Sequence, residues 1–276
     1  MTHDTTSSMG AIPPVLLVGC GRMGSAMLSG WREQGLAPSV AVDPSPSAAS
    51  FAGPDMTVVA DVSAIPATFV PAAVVLAVKP QNAAATLPDY ARFAPNTVFL
   101  SIMAGRTMGG IGALLGSSAA IVRAMPNTPA AVRQGVTVAC PGSLVSTPQK
   151  ALCDRLLQAI GKVAWVEDEA LLDPVTAVSG SGPAYVFLLA ELMEQAAIEQ
   201  GIPPDLARLL ARQTVSGSGA LLAASPDDAA ALRVAVTSPG GTTAAALSVL
   251  MDQDAWPAAM SQAIAAATRR SRELAG

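Results

Sequence analysis

Apolar residues follow two different periods along this chain. From Pro14 to about Val166, short β-rich runs alternate with segments of helical period, which is the pattern of a parallel sheet wrapped by helices. The predicted strands are Val15–Val18, Val40–Val42, Met56–Val59, Val74–Val78, Thr97–Ser101, Ala119–Arg123, Val136–Ala139 and Val163–Val166. The predicted helices between them are Ser25–Gln34, Ala83–Phe93, Met108–Leu115 and Gln149–Ile160.

Strand signals stop after Glu167, and the rest of the chain predicts helices. These are Ala184–Gln200, Asp205–Ala224, Asp227–Val236, Ala244–Met251 and Ala255–Leu274. The sequence therefore predicts a disordered tail over residues 1–12, a Rossmann-like α/β domain over 13–166 and an all-helical domain over 167–276. Because the last helices are apolar on most sides, we expect them to pack against a second copy of the chain.

Composition narrows the possible partners. The chain is 51% hydrophobic and 13% charged, with a formal net charge of −4. It has no basic stripe to neutralise phosphates, so we expect no nucleic acid and no membrane surface among its partners. The polar first residues, 1–10, hold no apolar run long enough for a signal peptide. Cys20, Cys140 and Cys153 lack metal-type or disulfide spacing, so we expect a cytoplasmic protein that binds no metal.

The histidine content excludes several kinds of enzyme. His3 is the only histidine of the sequence, and it lies in the predicted tail. Dehydrogenases with a histidine acid, Ser-His-Asp hydrolases and histidine-ligated metal enzymes therefore lack their key residue. Any chemistry of this chain must proceed without imidazole.

A glycine-rich turn marks a candidate dinucleotide site. The segment Gly19-Cys20-Gly21-Arg22-Met23-Gly24 follows the first strand and opens a helix, and Asp43 ends the second strand about 20 residues later. Spaced glycines allow a tight turn, close approach of a pyrophosphate and close helix packing. The candidate cofactor residues of this turn are Gly19, Gly21, Arg22, Met23 and Gly24.

Asp43 bears on the choice of cofactor. Its carboxylate suits a ribose diol and repels a 2′-phosphate, which favours NADH over NADPH. No Arg or Lys lies between Asp43 and Phe51, although Ser45 and Ser47 could donate hydroxyl groups. The alternative is that Asp43 is a turn residue of Asp-Pro-Ser-Pro.

Two more strand ends are candidates for the cofactor edge of the sheet, since ligands of open α/β sheets bind outside such ends. Ala77, Val78, Lys79 and Pro80 end the fourth strand, and Lys79 could reach a phosphate or ribose or be a solvated loop residue. Small residues follow the fifth strand and could lie under a nicotinamide ring. The candidates there are Met103, Ala104 and Gly105.

Two polar, glycine-rich segments interrupt the helical part. The first, 177–185, repeats Ser-Gly before Pro183, and its Ser181 is a candidate ligand contact as well as a helix cap. The second, Thr237–Thr243, separates two alanine-rich helices. Glycine and proline weaken helices, but such a turn offers free backbone N–H groups that suit a carboxylate.

Together these segments resemble the pyrroline-5-carboxylate reductase family, from about residue 14 to 274. The motifs are the glycine turn, AVKPQ (77–81), SIMAGRT (101–107), RAMPNTPA (123–130), AVSGSGPAY (177–185) and TSPGGTT (237–243). The resemblance implies reduction of a cyclic imine to L-proline with NADPH or NADH, and dimers through the helical domain that sometimes form larger rings. It implies that Thr243 hydrogen-bonds the ring nitrogen and that Ser238 and the backbone of Gly240, Gly241, Thr242 and Thr243 bind the carboxylate.

Some features depart from the family pattern or stay open. Arg22 stands where Asn or Lys is common, and Val234-Ala235 replaces a polar residue that touches the cofactor in many relatives. Glu169 is a candidate to line the substrate pocket, and an exposed acidic linker is the alternative. The other readings are an imine reductase for a different cyclic imine, a β-hydroxyacid dehydrogenase and a non-catalytic nucleotide sensor. The dehydrogenase needs a lysine in the helical part, and the sequence has none beyond Lys162.

Overall fold

The computed structural model describes residues 11–275, with no side-chain description for the last of these. Residues 1–10 of the predicted tail lie outside the described residues. Ile12, at the end of that predicted tail, is buried and forms an isolated bridge with Leu36. The ordered core therefore includes residues just before the first strand.

Within residues 11–275 the strands form one eight-stranded sheet in the order β3-β2-β1-β4-β5-β6-β7-β8. The strands are β1 (Val15–Val18), β2 (Ser39–Val42), β3 (Met56–Val59), β4 (Ala73–Leu76), β5 (Val98–Ser101), β6 (Ala120–Met125), β7 (Gly135–Pro141) and β8 (Gly161–Trp165). The first six strands pair in parallel, β7 pairs with β6 in the antiparallel sense, and β8 is parallel to β7. The predicted Rossmann-like fold is confirmed.

The sheet departs from the predicted parallel pattern at β7. The connection from Met125 to Gly135 contains only the short 3-10 helix Thr128–Val132. A parallel pairing needs a crossover of a dozen or more residues, usually with an α-helix. Asn127 holds the short connection, because its Oδ1 accepts a hydrogen bond of 2.9 Å from Val136 N. The chain therefore turns back directly.

The helices associated with the sheet are close to those predicted. They are α1 (Arg22–Glu33), α2 (Ala83–Thr86), α3 (Met108–Leu115), α4 (Thr147–Gln158) and α5 (Leu172–Val175). One predicted helix, Ala83–Phe93, is instead the short α2 followed by the 3-10 helix Leu87–Phe93. Pro88 explains the difference, because proline lacks an N–H group and disfavours an α-helical residue before it.

Successive side chains along the strands belong to two different hydrophobic clusters. In β1, Val15 and Leu17 belong to one cluster, while Leu16 and Val18 belong to the other. Trp31 of α1 is fully buried in the first cluster, and its Nε1 donates a hydrogen bond of 2.9 Å to Leu156 O. The sheet thus has a core on each face, as expected of strands that are apolar along their whole length.

The second half of the chain is helical, as predicted, with α6 (Gly182–Glu199), α7 (Pro204–Ala224), α8 (Ala229–Ala235), α9 (Thr242–Leu250) and α10 (Trp256–Ala275). Residues Ser181–Ala267 form one compact unit, which we call the helical unit. Of the residues described, 11–180 and 268–275 form the other, which we call the sheet unit.

The end of α10 belongs to the sheet unit. Ser271 Oγ donates a buried hydrogen bond of 2.7 Å to Asp173 Oδ1. A Cβ on Gly105, whose φ is +68°, would lie 3.2 Å from the Leu274 backbone. Glycine at position 105 therefore lets this last helical turn approach closely.

The helices of the helical unit bury little. No residue of α6, α8 or α9, all of which lie in the described part of the chain, is buried, and α7 buries only Ala207 and Ala211. By length and composition alone, the helical stretch Glu169–Glu199 is apolar enough to cross a membrane. A single stretch of this kind is weak evidence for a membrane span. Its exposed apolar side chains lack a covering surface within one copy.

Candidate functional site

The glycine turn between β1 and α1 has the geometry of a phosphate-binding loop. Gly19 has a φ of +97°, and a Cβ there would lie 2.8 Å from Ala77 O. A Cβ on Gly24 would collide with Gly19 O. By contrast, a Cβ on Gly21 would meet no atom within 4 Å. The first and third glycines thus serve the fold, while Gly21 leaves open space.

The start of α1 faces this space without a side-chain cap. Gly21 is the N-cap residue and offers no capping side chain, and Ser25 N donates a hydrogen bond of 2.8 Å to Gly21 O. The preceding N–H groups of the first turn therefore have no acceptor within the helix. Such an N-terminus favours an anion, so the turn fits the pyrophosphate of a dinucleotide. Arg22 is exposed at the first helical position, and Met23 is half-buried against the core.

A cleft of about 490 Å³ adjoins the turn. It lies where β1, β2 and β4 end, which is the ligand edge of an open α/β sheet. Its lining includes Gly19, Gly21, Asp43, Ala77, Val78 and Lys79, which were predicted, and Asp61, Asp89 and Tyr90, which were not. Of these three residues, only Asp61 could have been predicted from the sequence, because it lies shortly after a strand, as Asp43 does.

Asp43 lies directly after β2, and its carboxylate is fixed by the backbone. Oδ2 accepts a hydrogen bond of 2.6 Å from Cys20 N, and Oδ1 accepts one of 2.8 Å from Ser45 N. Burial, and then the charge of Asp43, raises the pKa of the Cys20 thiol to about 11. Asp43 thus both shapes the glycine turn and lines the cleft.

The predicted residues after β4 take different positions. Ala77 N donates a hydrogen bond of 2.8 Å to Val18 O, so this strand end is joined to the glycine turn. Lys79 is exposed at the cleft. Pro80 opens a 3-10 helix, and its carbonyl accepts a hydrogen bond of 3.0 Å from Arg106 Nε.

The predicted residues after β5 belong in part to the core. The Met103 side chain is buried in the second hydrophobic cluster, and Gly105 packs against Leu274. Ala104 is exposed. A cofactor contact through the Met103 side chain would need this core to open, so only its backbone is available as a ligand. The cofactor role of these residues stays a prediction.

Glu169 forms a partly buried ion pair that the sequence did not reveal. Its Oε1 accepts a hydrogen bond of 2.9 Å from Arg123 Nη1 and one of 2.7 Å from Met108 N at the start of α3. The side chain of Arg123 is only 6% exposed. A buried charge needs a partner, so an arginine inside the apolar strand β6 could have predicted a nearby carboxylate. Substrate binding by Glu169 stays a prediction, since this oxygen already has two donors.

The Ser-Gly segment forms a five-residue π-helical turn, Thr176–Gly180, just before α6. Thr176 and Ser179 use their hydroxyl groups locally, donating hydrogen bonds of 2.7 Å to Leu172 O and 3.0 Å to Val175 O. Ser181 precedes α6 and makes no side-chain capping hydrogen bond. π-helical turns are frequent at functional sites, but the ligand role of Ser181 stays a prediction.

The turn before α9 repeats the features of the glycine turn in the helical unit. Gly240 has a φ of +69°, and Gly241 N donates a hydrogen bond of 3.0 Å to Ser238 O. Gly241 caps α9 without a side chain. Ser238, Gly240 and Thr242 are exposed, whereas Thr243 is half-buried. The first N–H groups of α9 are thus available to an anion.

Comparison with known proteins matches both halves of the chain. Residues 169–274 match the model of the pyrroline-5-carboxylate reductase dimerisation family, and residues 14–105 match that of the coenzyme F420-dependent NADP oxidoreductases. The pyrroline-5-carboxylate reductase of Pseudomonas aeruginosa is 37% identical over 266 residues, covering 95% of this chain and 97% of the relative. The chain belongs to the pyrroline-5-carboxylate reductase family.

Further reductases support this membership. The Haemophilus influenzae enzyme is 36% identical and covers 94% of this chain and 97% of its own length. The structure of the Coxiella burnetii reductase matches with a TM-score of 0.88 and 32% identity, covering 95% of this chain and 98% of the other. A Plasmodium falciparum reductase structure with NADP bound has a TM-score of 0.80 and 27% identity, covering 95% and 99%. The predicted family is therefore confirmed, while the roles of individual residues stay predictions.

Proposed function

We propose that this chain reduces pyrroline-5-carboxylate to L-proline with NADH or NADPH as the reductant. The observation that carries the proposal is the similarity to pyrroline-5-carboxylate reductases over 95% of the chain. The geometry agrees with it, since in each compact unit a glycine turn leads into a helix N-terminus without a side-chain cap, at α1 and at α9.

The turn before α9 is the proposed carboxylate site. Backbone N–H groups of Gly240, Gly241, Thr242 and Thr243 and the hydroxyl of Ser238 would donate to the substrate carboxylate. The partial positive charge at the start of α9 adds to this attraction. Because Gly241 brings no side-chain acceptor of its own, these N–H groups do not compete with an internal cap.

Thr243 is the proposed contact to the ring nitrogen, and we name it as the catalytic residue. Its half-buried hydroxyl can hold the imine in one orientation. When bound, NAD(P)H supplies the hydride. Because a protonated imine is already electrophilic, the chain mainly has to align the reactants and exclude water. No histidine acid is required for that task, in line with the absence of histidine from position 4 onward.

The glycine turn is the proposed cofactor site. The open space at Gly21 and the uncapped start of α1 would hold the pyrophosphate, with Arg22 exposed beside them. Asp43 and Lys79 line the adjoining cleft and would contact the adenosine half. Met23, Ala77, Val78 and Pro80 would complete the site.

We further propose a homodimer through the helical unit, which can assemble into larger homo-oligomers. Support comes from the dimerisation model matched by residues 169–274 and from the exposed apolar side chains of α6 and α7. This assembly also accounts for the apolar stretch Glu169–Glu199 without a membrane. We place the enzyme in the cytoplasm, where its three buried cysteines would stay reduced.

The test is turnover of the purified chain. We expect loss of nicotinamide absorbance and formation of L-proline from pyrroline-5-carboxylate, with NADH and NADPH assayed in parallel. Oxidation of the cofactor only with a different cyclic imine would redirect the substrate assignment. No oxidation with any cyclic imine, despite cofactor binding, would contradict the proposal.

A further inference from the structure

We infer that this reductase selects NADH over NADPH, and that the carboxylate of Asp43 sets the preference. The inference rests on the proposed function, since it concerns the cofactor of the same reaction. Family membership leaves the choice open. The similar Plasmodium falciparum structure has NADP bound, and it is only 27% identical to this chain.

The structure fixes Asp43 at the cleft more firmly than a turn residue requires. Asp43 N donates a hydrogen bond of 3.0 Å to Val59 O of the neighbouring strand β3. Its carboxylate then accepts from Cys20 N within the glycine turn and from Ser45 N. The carboxylate is thereby tied to the loop that would hold the pyrophosphate. A ribose attached to that pyrophosphate would have to lie near it.

The hydrogen bonds to Asp43 leave room for a ribose diol. A carboxylate offers about four acceptor positions, and two are used here. The remaining positions can accept the 2′- and 3′-hydroxyl groups of NADH. A 2′-phosphate has only acceptor oxygens and carries a charge of about −1.5 to −2 at neutral pH. NADPH would therefore place two anionic groups together and lose the hydroxyl donor.

The rest of the cleft does not compensate for this repulsion. Three carboxylates line it, those of Asp43, Asp61 and Asp89. Lys79 is the only lysine or arginine among the lining residues described. Ser45 and Ser47, the hydroxyl groups closest in sequence, lie 2.8 Å apart and bond to each other. A phosphate at this edge of the sheet would thus meet mainly negative charge.

Tyr90 supplies an internal control within the same cleft. It lines the cleft although it is only 2% exposed. Burial, with the nearby charges of Asp89 and Asp61, raises the pKa of this hydroxyl to about 12, so it stays a donor. Both dinucleotides carry the same adenine, whose ring nitrogens are acceptors. Tyr90→Phe should therefore weaken both equally.

The test measures binding of NADH and NADPH to the full chain by titration calorimetry, without substrate. We expect the wild type to bind NADH at least about ten-fold more tightly. Asp43→Asn should weaken NADH and strengthen NADPH, reducing the ratio by about ten-fold or reversing it. Asp43→Ser serves if the asparagine variant is unstable. Asp89→Asn removes an equal charge from the same cleft and should leave most of the preference in place.

Each result decides the inference. Equal or tighter binding of NADPH by the wild type would overturn it. Equal changes in Asp43→Asn and Asp89→Asn would assign the preference to the overall charge and would overturn the role of Asp43. Proline formation with the same protein separates this from the proposed function. Turnover that prefers NADPH refutes only the cofactor inference, whereas tight NADH binding without any turnover refutes only the reductase activity.

Discussion

The sheet unit and the helical unit treat their apolar residues in opposite ways. Every residue of β1, β2, β4 and β5 is buried, and side chains from α1 and α4 complete the core. In the helical unit, no residue of α6, α8 or α9 is buried, although α6 contains many apolar residues. The difference teaches that apolar content alone does not define a core. The sheet unit closes its own core, whereas the helical unit needs a second surface.

The two units also share one backbone arrangement that favours an anion. Each has a glycine turn that leads into a helix without a side-chain cap, at Gly21 before α1 and at Gly241 before α9. In the sheet unit the turn lies beside the ends of the strands, and a cleft adjoins it. In the helical unit Ser238 and Thr243 add hydroxyl groups. The first arrangement suits a large dinucleotide and the second a small carboxylate with a ring nitrogen.

The largest effect is expected from a charge on an exposed leucine of the helical unit. Leu192 in α6 is 56% exposed, and Leu144 in the sheet unit is 55% exposed. Leu192→Glu should abolish the dimer and with it most activity, because an unpaired charge would be buried at the interface. Leu144→Glu should leave both unchanged. Light scattering measures the molar mass of both variants. If the two variants have the same molar mass and activity, the proposed difference between the two units is contradicted.

The next effect concerns the turn before α9. Thr243→Ala should lower turnover on the order of a hundred-fold while cofactor binding stays unchanged, because the proposed contact to the ring nitrogen is lost. Thr242→Ala is the matched control, since its exposed side chain has no proposed role and its N–H group is retained. Steady-state kinetics measure both variants. Equal activities would remove Thr243 from the chemistry.

A smaller effect distinguishes the glycine that stabilises the fold from the glycine that leaves space for a ligand. Gly24→Ala should reduce the free energy of unfolding by roughly 1–3 kcal/mol, because the new Cβ would collide with Gly19 O. Gly21→Ala meets no protein atom and should keep the stability while weakening cofactor binding. Denaturant unfolding and cofactor titration measure the two properties. If both variants lose stability, the interpretation that Gly21 leaves space for a ligand is contradicted.

The smallest effect is a pH dependence of stability in the sheet unit. The Arg32 guanidinium, whose Nε lies 2.7 Å from Asp55 Oδ2, lowers the pKa of that carboxyl. A lowered pKa stabilises the fold above the usual aspartate pKa, and this is lost as the pH falls through the lowered value. Asp55→Asn should therefore lose less than about 1 kcal/mol at neutral pH and almost nothing in acid.

Asp227→Asn, on an exposed turn of the helical unit, is the control for this prediction. Unfolding curves at several pH values measure both variants. A loss in Asp55→Asn that stays constant down to the most acidic pH would show that the ion pair contributes nothing.

Much of the fold could be predicted because local pattern determines it. Strand positions, the glycine turn and the change of period depend on residues close in sequence, and Met108–Leu115 matches helix α3 residue by residue. The direction of β7 could not be predicted in this way, since it depends on the length of the connection from β6. The split of Ala83–Phe93 had a local cause, Pro88, that the apolar period concealed.

The site could be predicted less completely, for the same reason. Motifs located the glycine turn and the turn before α9, whose geometry lies within a few residues. They did not reveal that Glu169 pairs with Arg123, because that contact joins residues 46 positions apart. Nor did they place Tyr90 in the cleft beside Asp43. The pairing of strands determines which distant residues become neighbours, and spacing along the chain does not predict it.

The contrast between a closed sheet unit and an open helical unit is tested most directly by the mass of the active species. Sedimentation velocity would follow the purified chain through serial dilution while its reductase activity is assayed at each concentration. We expect a dimer or larger assembly wherever activity is found, and loss of specific activity if dissociation occurs. A monomer with full activity would contradict the account.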